Sequence, residues 1–143
     1  NSIWDVTKAA TSAGIHIVAA AGNGDQNLDH TSYSSYINRG DSGALIVGAG
    51  STNITHSRLS FSTYGQRVNV QGWGMNVLSA GYGDYALLGN DPNQSYTMFS
   101  GTSSATPVVA SCVIALLALI QTGSLALRRM QSRPLLYNSS IAR

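Results

Sequence analysis

The chain has 143 residues, of which 43% are hydrophobic and 10% are charged, and its formal net charge is +2. This composition excludes a disordered chain, and the length is enough for one domain with a core. The small net charge gives no indication of nucleic-acid binding. A single cysteine, Cys112, excludes an internal disulfide, and its apolar neighbours predict a small, buried core residue.

The chain begins with a predicted helix and a predicted strand. Apolar residues recur at helical spacing over residues 3–13, and Gly14 is a suitable C-terminal cap. Residues 15–20 are β-branched and apolar and then small, as in a buried parallel strand. The strand runs into Ala20, Ala21, Gly22 and Asn23.

The middle of the chain predicts short strands between turns. Residues 25–43 are polar and rich in turn formers, and residues 44–49 read as a second buried strand. Shorter extended candidates follow at residues 59–62, 68–70, 76–80 and 96–99. A loop is predicted between the last two of them. The almost unbroken apolar run 108–120 predicts a buried helix, being shorter than the roughly 20 residues that span a bilayer. A short closing helix is predicted over residues 125–130.

Asn23 and Ser103 are the two residues whose setting suggests chemistry. Ligands of open α/β sheets bind at the carboxyl ends of strands, where Asn23 lies, and its side-chain amide can donate a hydrogen bond to a carbonyl oxygen. Ser103 follows Gly101 and Thr102 at a predicted helix start, where unpaired backbone N–H groups favour a developing negative charge. Taken singly, Asn23 could be an ordinary turn residue and Ser103 an ordinary helix cap.

Together, the two segments resemble the subtilisin-like serine protease family, with Ala-Ala-Gly-Asn before the pocket and Gly-Thr-Ser-x-Ala-x-Pro around the nucleophile. Similarity extends over about residues 3–120 and includes Phe-Ser-x-x-Gly at residues 61–65. The resemblance implies an α/β fold: a partial doubly wound, mostly parallel sheet with a central buried helix after the nucleophile. It also implies that Ser103 is the nucleophile and Asn23 the oxyanion-hole side chain. Substrate-binding residues are expected at Ala20, Ala21, Gly22 and Thr102.

The family's triad aspartate and histidine motifs are not recognisable in this sequence. None of His16, His30 and His56 has a suitable setting, and Asp5 falls in the first predicted helix. We therefore expect residues 1–143 to be the C-terminal part of one peptidase domain, inactive without its N-terminal half. The alternative is a catalytically dead, subtilase-like binding or structural protein.

The resemblance also sets expectations for ligands, location and rival families. Polypeptide substrates and the N-terminal half of the domain are the expected partners, with no nucleic acid or membrane, in an extracellular setting. No cofactor is expected; structural calcium is common among relatives, but the aspartates show no ligand spacing that assigns it. A sedolisin-type protease would carry aspartate in place of Asn23, and an α/β-hydrolase would need glycine in place of Ala105.

Overall fold

The computed structural model describes residues 2–87 and 95–122. This part of the chain forms two three-stranded sheets and several helices, the longest of which packs on the first sheet. In chain order the elements are α1 (Ser2–Ser12), β1 (Val18–Ala20), a 3-10 helix (Thr31–Tyr33), α2 (Ser34–Ile37), β2 (Leu45–Gly50), β3 (Val70–Trp73), β4 (Val77–Ala80), β5 (Ala86–Leu87), β6 (Ser95–Phe99) and α3 (Thr102–Thr122).

The first sheet is parallel throughout, with strand order β1-β2-β3. Val18 lies opposite Leu45, and Val47 lies opposite Val70. Small and β-branched residues fill the central strand β2 because it is covered by the helix that packs on it. The predicted α/β fold with a mostly parallel sheet is confirmed.

Helix α3 packs on this sheet through one face. Ala105, Val109 and Val113 are buried at helical spacing against Val47 and its neighbours in β2. The approach is close, since a Cβ added to Gly72 in β3 would lie 2.7 Å from the carbonyl oxygen of Ala105. The start of α3 is therefore fixed relative to the carboxyl ends of the parallel strands.

The other face of α3 is exposed, which differs from the expectation of a helix buried all round. Ile114 is 68% exposed and Leu119 is 59% exposed. Cys112 is also exposed, so its predicted burial is wrong: it lies off the line of residues that faces the sheet. By length and composition Thr102–Ile120 could cross a membrane, and 22% of its most apolar stretch is buried. One face of the helix packs on β1, β2 and β3.

The second sheet is antiparallel, with strand order β4-β6-β5. Strand β5 lies between β4 and β6, in the segment that was predicted to be a loop. Residues 88–94 of that segment lie outside the described part of the chain. The extended candidate at residues 59–62 is wrong, because Ser62 N–H donates to the Leu59 carbonyl at 2.9 Å and closes a turn. The closing helix predicted for residues 125–130 falls outside the described residues.

Candidate active site

The site is built where the parallel strands end. Gly74, just after β3, donates to the Gly50 carbonyl at 3.0 Å and accepts from the Gly101 N–H at 2.8 Å. A Cβ on Gly74 would lie 2.4 Å from the Cβ of Ala49, so only glycine allows this approach. These contacts bring the beginning of α3 to the same edge as Asn23, which follows β1.

The Asn23 side chain is oriented by Thr102. The Asn23 Oδ1 atom accepts from the Thr102 backbone N–H at 2.8 Å and from the Thr102 hydroxyl at 2.9 Å. Thr102 Oγ1 in turn accepts from the Gly22 N–H at 3.1 Å. Because both donors occupy the oxygen end of the carboxamide, its Nδ2 donor end is directed away from Thr102.

That donor end and the Ser103 hydroxyl both lie beside Gly101. Gly101 has φ of +134°, and a Cβ built on it would lie 3.1 Å from Asn23 Nδ2 and 3.3 Å from Ser103 Oγ. The distance between Asn23 Nδ2 and Ser103 Oγ therefore cannot exceed the sum of those two distances. The carboxamide and the hydroxyl face one small space that any other residue at position 101 would fill.

Ser103 itself is exposed in the first turn of α3. The N–H groups of Ser104 and Ala105 donate to the Gly101 carbonyl at 3.1 and 3.2 Å. Within the described residues the Ser103 N–H has no acceptor, as expected for the first turn of a helix. Ser103 thus presents a hydroxyl and an unpaired amide donor together.

The residues predicted to bind substrate lie next to Asn23 and Ser103, at the end of β1 and the start of α3. Ala20 ends β1 and is exposed, and the Ala21 N–H donates to the Val47 carbonyl at 2.9 Å. Gly22 has φ of +101°, which favours glycine. Thr102 is 1% exposed, so its side chain lies beneath Asn23.

The histidines and Asp5 have other settings. His16 precedes β1, at the opposite end of the strand from Asn23, and His30 accepts from the Ser32 N–H as a helix cap. His56 lies in a turn with φ of +46°. Asp5 pairs with Arg39 at 3.2 Å. In the part of the chain that the structure describes, no histidine or carboxylate is hydrogen-bonded to Ser103.

Each aspartate that could be considered as a calcium ligand has a different partner within the chain. Asp25 binds Arg58, Asp29 accepts from the Gln66 N–H, and Asp41 accepts from the Gly43 N–H. Across residues 2–87 and 95–122, no group of three or more His, Cys, Asp or Glu side chains is placed to hold a metal ion.

Arg58 binds the loop after Asn23 and was not predicted from the sequence. Its guanidinium is 2.7 Å from Asp25 Oδ1 and lies over the Tyr64 ring at 4.3 Å. A turn residue 33 positions from its carboxylate partner gives no local signal of this contact.

The exposed Ser103 hydroxyl and the oriented Asn23 carboxamide thus lie together at the carboxyl end of the parallel sheet. The subtilase family model matches residues 1–140, and the chain belongs to that family. It is 37% identical over 111 residues to subtilisin-like serine protease Rho m 2.0101 of Rhodotorula mucilaginosa, covering 78% of this chain and 28% of that protein.

Two further relatives have a similar identity to this chain, which again covers only part of their length. The chain is 36% identical over 118 residues to subtilisin-like protease 3 of Pseudogymnoascus destructans, with 82% of this chain and 26% of that protein covered. It is 34% identical over 110 residues to subtilisin BL of Lederbergia lenta, with 76% and 34% covered. The aligned part is about a third or less of each relative's length.

Proposed function

We propose that this chain supplies the nucleophile and the oxyanion hole of a serine endopeptidase. The observation that carries the proposal is the convergence of Asn23 Nδ2 and Ser103 Oγ on the space left by Gly101. A peptide carbonyl in that space would have its carbon beside the hydroxyl and its oxygen beside the amide donor. Membership of the subtilase family supports this reaction class.

In the proposed reaction, Ser103 Oγ attacks the carbonyl carbon of the substrate. The oxygen gains negative charge, which Asn23 Nδ2 and the Ser103 N–H stabilise by hydrogen bonds. Collapse of the tetrahedral species releases the amine and leaves an ester on Ser103, which water then hydrolyses. A histidine held by an aspartate, both from the N-terminal half of the domain, takes up and returns the proton.

The surrounding residues have supporting roles in this proposal. Thr102 holds the carboxamide through two hydrogen bonds to Asn23 Oδ1. Ala20, Ala21 and Gly22 are small enough for a substrate chain to pass close to the backbone. The remaining wall of the cleft comes from the N-terminal half, and the substrates are polypeptides met outside the cell.

The test uses the intact protease, meaning this chain with the segment that supplies histidine and aspartate. Ser103→Ala is expected to abolish peptidase activity and labelling by a fluorophosphonate. Ser104→Ala, in the same helical turn, is the matched control and should keep both. Activity and labelling that survive Ser103→Ala would refute the proposal.

A subtilase-like binding or structural protein without activity is the second candidate. It is favoured by one observation: Ser103 Oγ has no histidine partner among the described residues. The same experiment separates the two, because an inactive homologue would show no labelling of the intact wild-type protein at Ser103.

A further inference from the structure

Backbone hydrogen bonds join the loop that carries Asn23 to a second segment of the chain, the turn at residues 58–64. The Thr63 N–H donates to the Gly22 carbonyl at 3.0 Å, and the Asp25 N–H donates to the Phe61 carbonyl at 2.8 Å. These two bonds lie on either side of Asn23 in sequence. The position of the Asn23 backbone therefore depends on where the turn at residues 58–64 is held.

Arg58 holds that turn and the loop with one side chain. Its Nη1 atom donates to the Ser62 carbonyl at 2.6 Å and to Asp25 Oδ1 at 2.7 Å. The carbonyls of Leu59 and Ser60 lie at 3.4 and 3.3 Å from the same atom. The guanidinium thus gathers acceptors from the turn and from the Asn23 loop at a single point.

The chemistry of arginine suits this position better than that of lysine. A planar guanidinium can stack on the Tyr64 ring, 4.3 Å away, while its edge donates to several oxygens. Asp25 also needs holding, because its φ of +52° is a left-handed conformation that a residue with a side chain adopts at a cost. Asp25 lies two residues after Asn23, so loss of the contact to its carboxylate would loosen the loop next to Asn23.

We propose that Arg58 is a positioning residue for the oxyanion hole: by binding Asp25 and the Ser62 carbonyl, it keeps the Asn23 carboxamide aligned with Ser103. Arg58 touches no substrate in this arrangement. The catalytic consequence rests on the function proposed above, while the structural link from Arg58 to Asn23 is testable without activity.

The structural test is amide hydrogen exchange on the intact protease, comparing wild type with Arg58→Met and Arg58→Lys. The informative amides are those of Asp25 and Thr102, because the Thr102 N–H donates to Asn23 Oδ1. Arg58→Met should speed both by about tenfold or more, since local opening governs exchange, with Arg58→Lys recovering only part of the protection. Unchanged exchange at Thr102 in either folded variant overturns the proposal.

Arg39→Met is the matched control for that measurement. Arg39 also pairs with an aspartate, Asp5, and lies 5.6 Å from an aromatic ring centroid, that of Trp4, but it is not bonded to the Asn23 loop. Its loss should leave the Asp25 and Thr102 amides unaffected. Equal acceleration in Arg39→Met would show general loosening and would overturn the specific role of Arg58.

The catalytic test is a double-mutant cycle in the intact protease. Arg58→Met should lower kcat about tenfold with little change in KM, because a displaced donor weakens transition-state binding. If Arg58 acts through Asn23, adding Arg58→Met to Asn23→Ala should lower kcat no further. An additional tenfold loss in the double variant refutes the inference, whereas activity that survives Ser103→Ala refutes the proposed function and leaves the exchange experiment to decide on Arg58.

Discussion

Replacing Thr102 by valine should destabilise the chain, because it removes the hydroxyl while leaving the shape of the side chain nearly unchanged. Thr102 Oγ1 accepts from the Gly22 N–H at 3.1 Å and donates to Asn23 Oδ1 at 2.9 Å, and the residue is 1% exposed. An unpaired Gly22 N–H and a lost bond to Asn23 together should cost about 2–3 kcal/mol. For a chain of this size that corresponds to a fall in Tm of roughly 6–12 °C.

The assay is thermal unfolding followed by circular dichroism, with Thr102→Ser as the matched control. Serine keeps the hydroxyl and loses only a buried methyl group, so its cost should be about 1 kcal/mol. A Thr102→Val variant that unfolds within 2 °C of wild type, on the order of 0.5 kcal/mol, would refute the reasoning that this hydroxyl ties Gly22 to Asn23. So would a serine variant as unstable as the valine variant.

Three further predictions concern the same helix start and its exposed face. Gly101→Ala should cost about 1–3 kcal/mol, since φ is +134° and the new Cβ would lie 3.1 Å from Asn23 Nδ2; equal urea midpoints would contradict this. Cys112 should react with a thiol reagent in the folded chain, and reaction only after denaturation would show that it is buried. This chain by itself should show negligible fluorophosphonate labelling, because Ser103 lacks a general base; rapid stoichiometric labelling would overturn that expectation.

Local sequence signals were enough to predict β1, β2 and the helix that contains Ser103, whereas the mostly parallel sheet was implied by the family resemblance. The apolar residues before Asn23 and those of β2 have the composition of buried strands, and both pair in parallel. The convergence of Asn23 and Ser103 is not local, since 80 positions separate them. Its prediction depended on the family resemblance.

Long-range packing decided what the sequence could not predict. Cys112 has apolar neighbours on both sides, but which face of α3 meets the sheet is set by Gly72 and the small residues opposite. The Arg58–Asp25 pair joins two turns 33 residues apart, and no pattern in either turn indicates it. The segment 59–62 has the residues of a strand but forms a turn closed by the Ser62 N–H.

The central claim is that Asn23 and Ser103 act on one substrate carbonyl, and kcat of an Asn23→Ala variant of the intact protease tests it most directly. Asn27→Ala is the control, since Asn27 lies in the same loop and its side chain accepts from the Asp29 N–H at 3.0 Å. We predict a kcat on the order of 10²–10³ lower for Asn23→Ala with KM nearly unchanged, the magnitude known for the oxyanion asparagine of subtilisin. An unchanged kcat, or a loss confined to KM, would contradict the account.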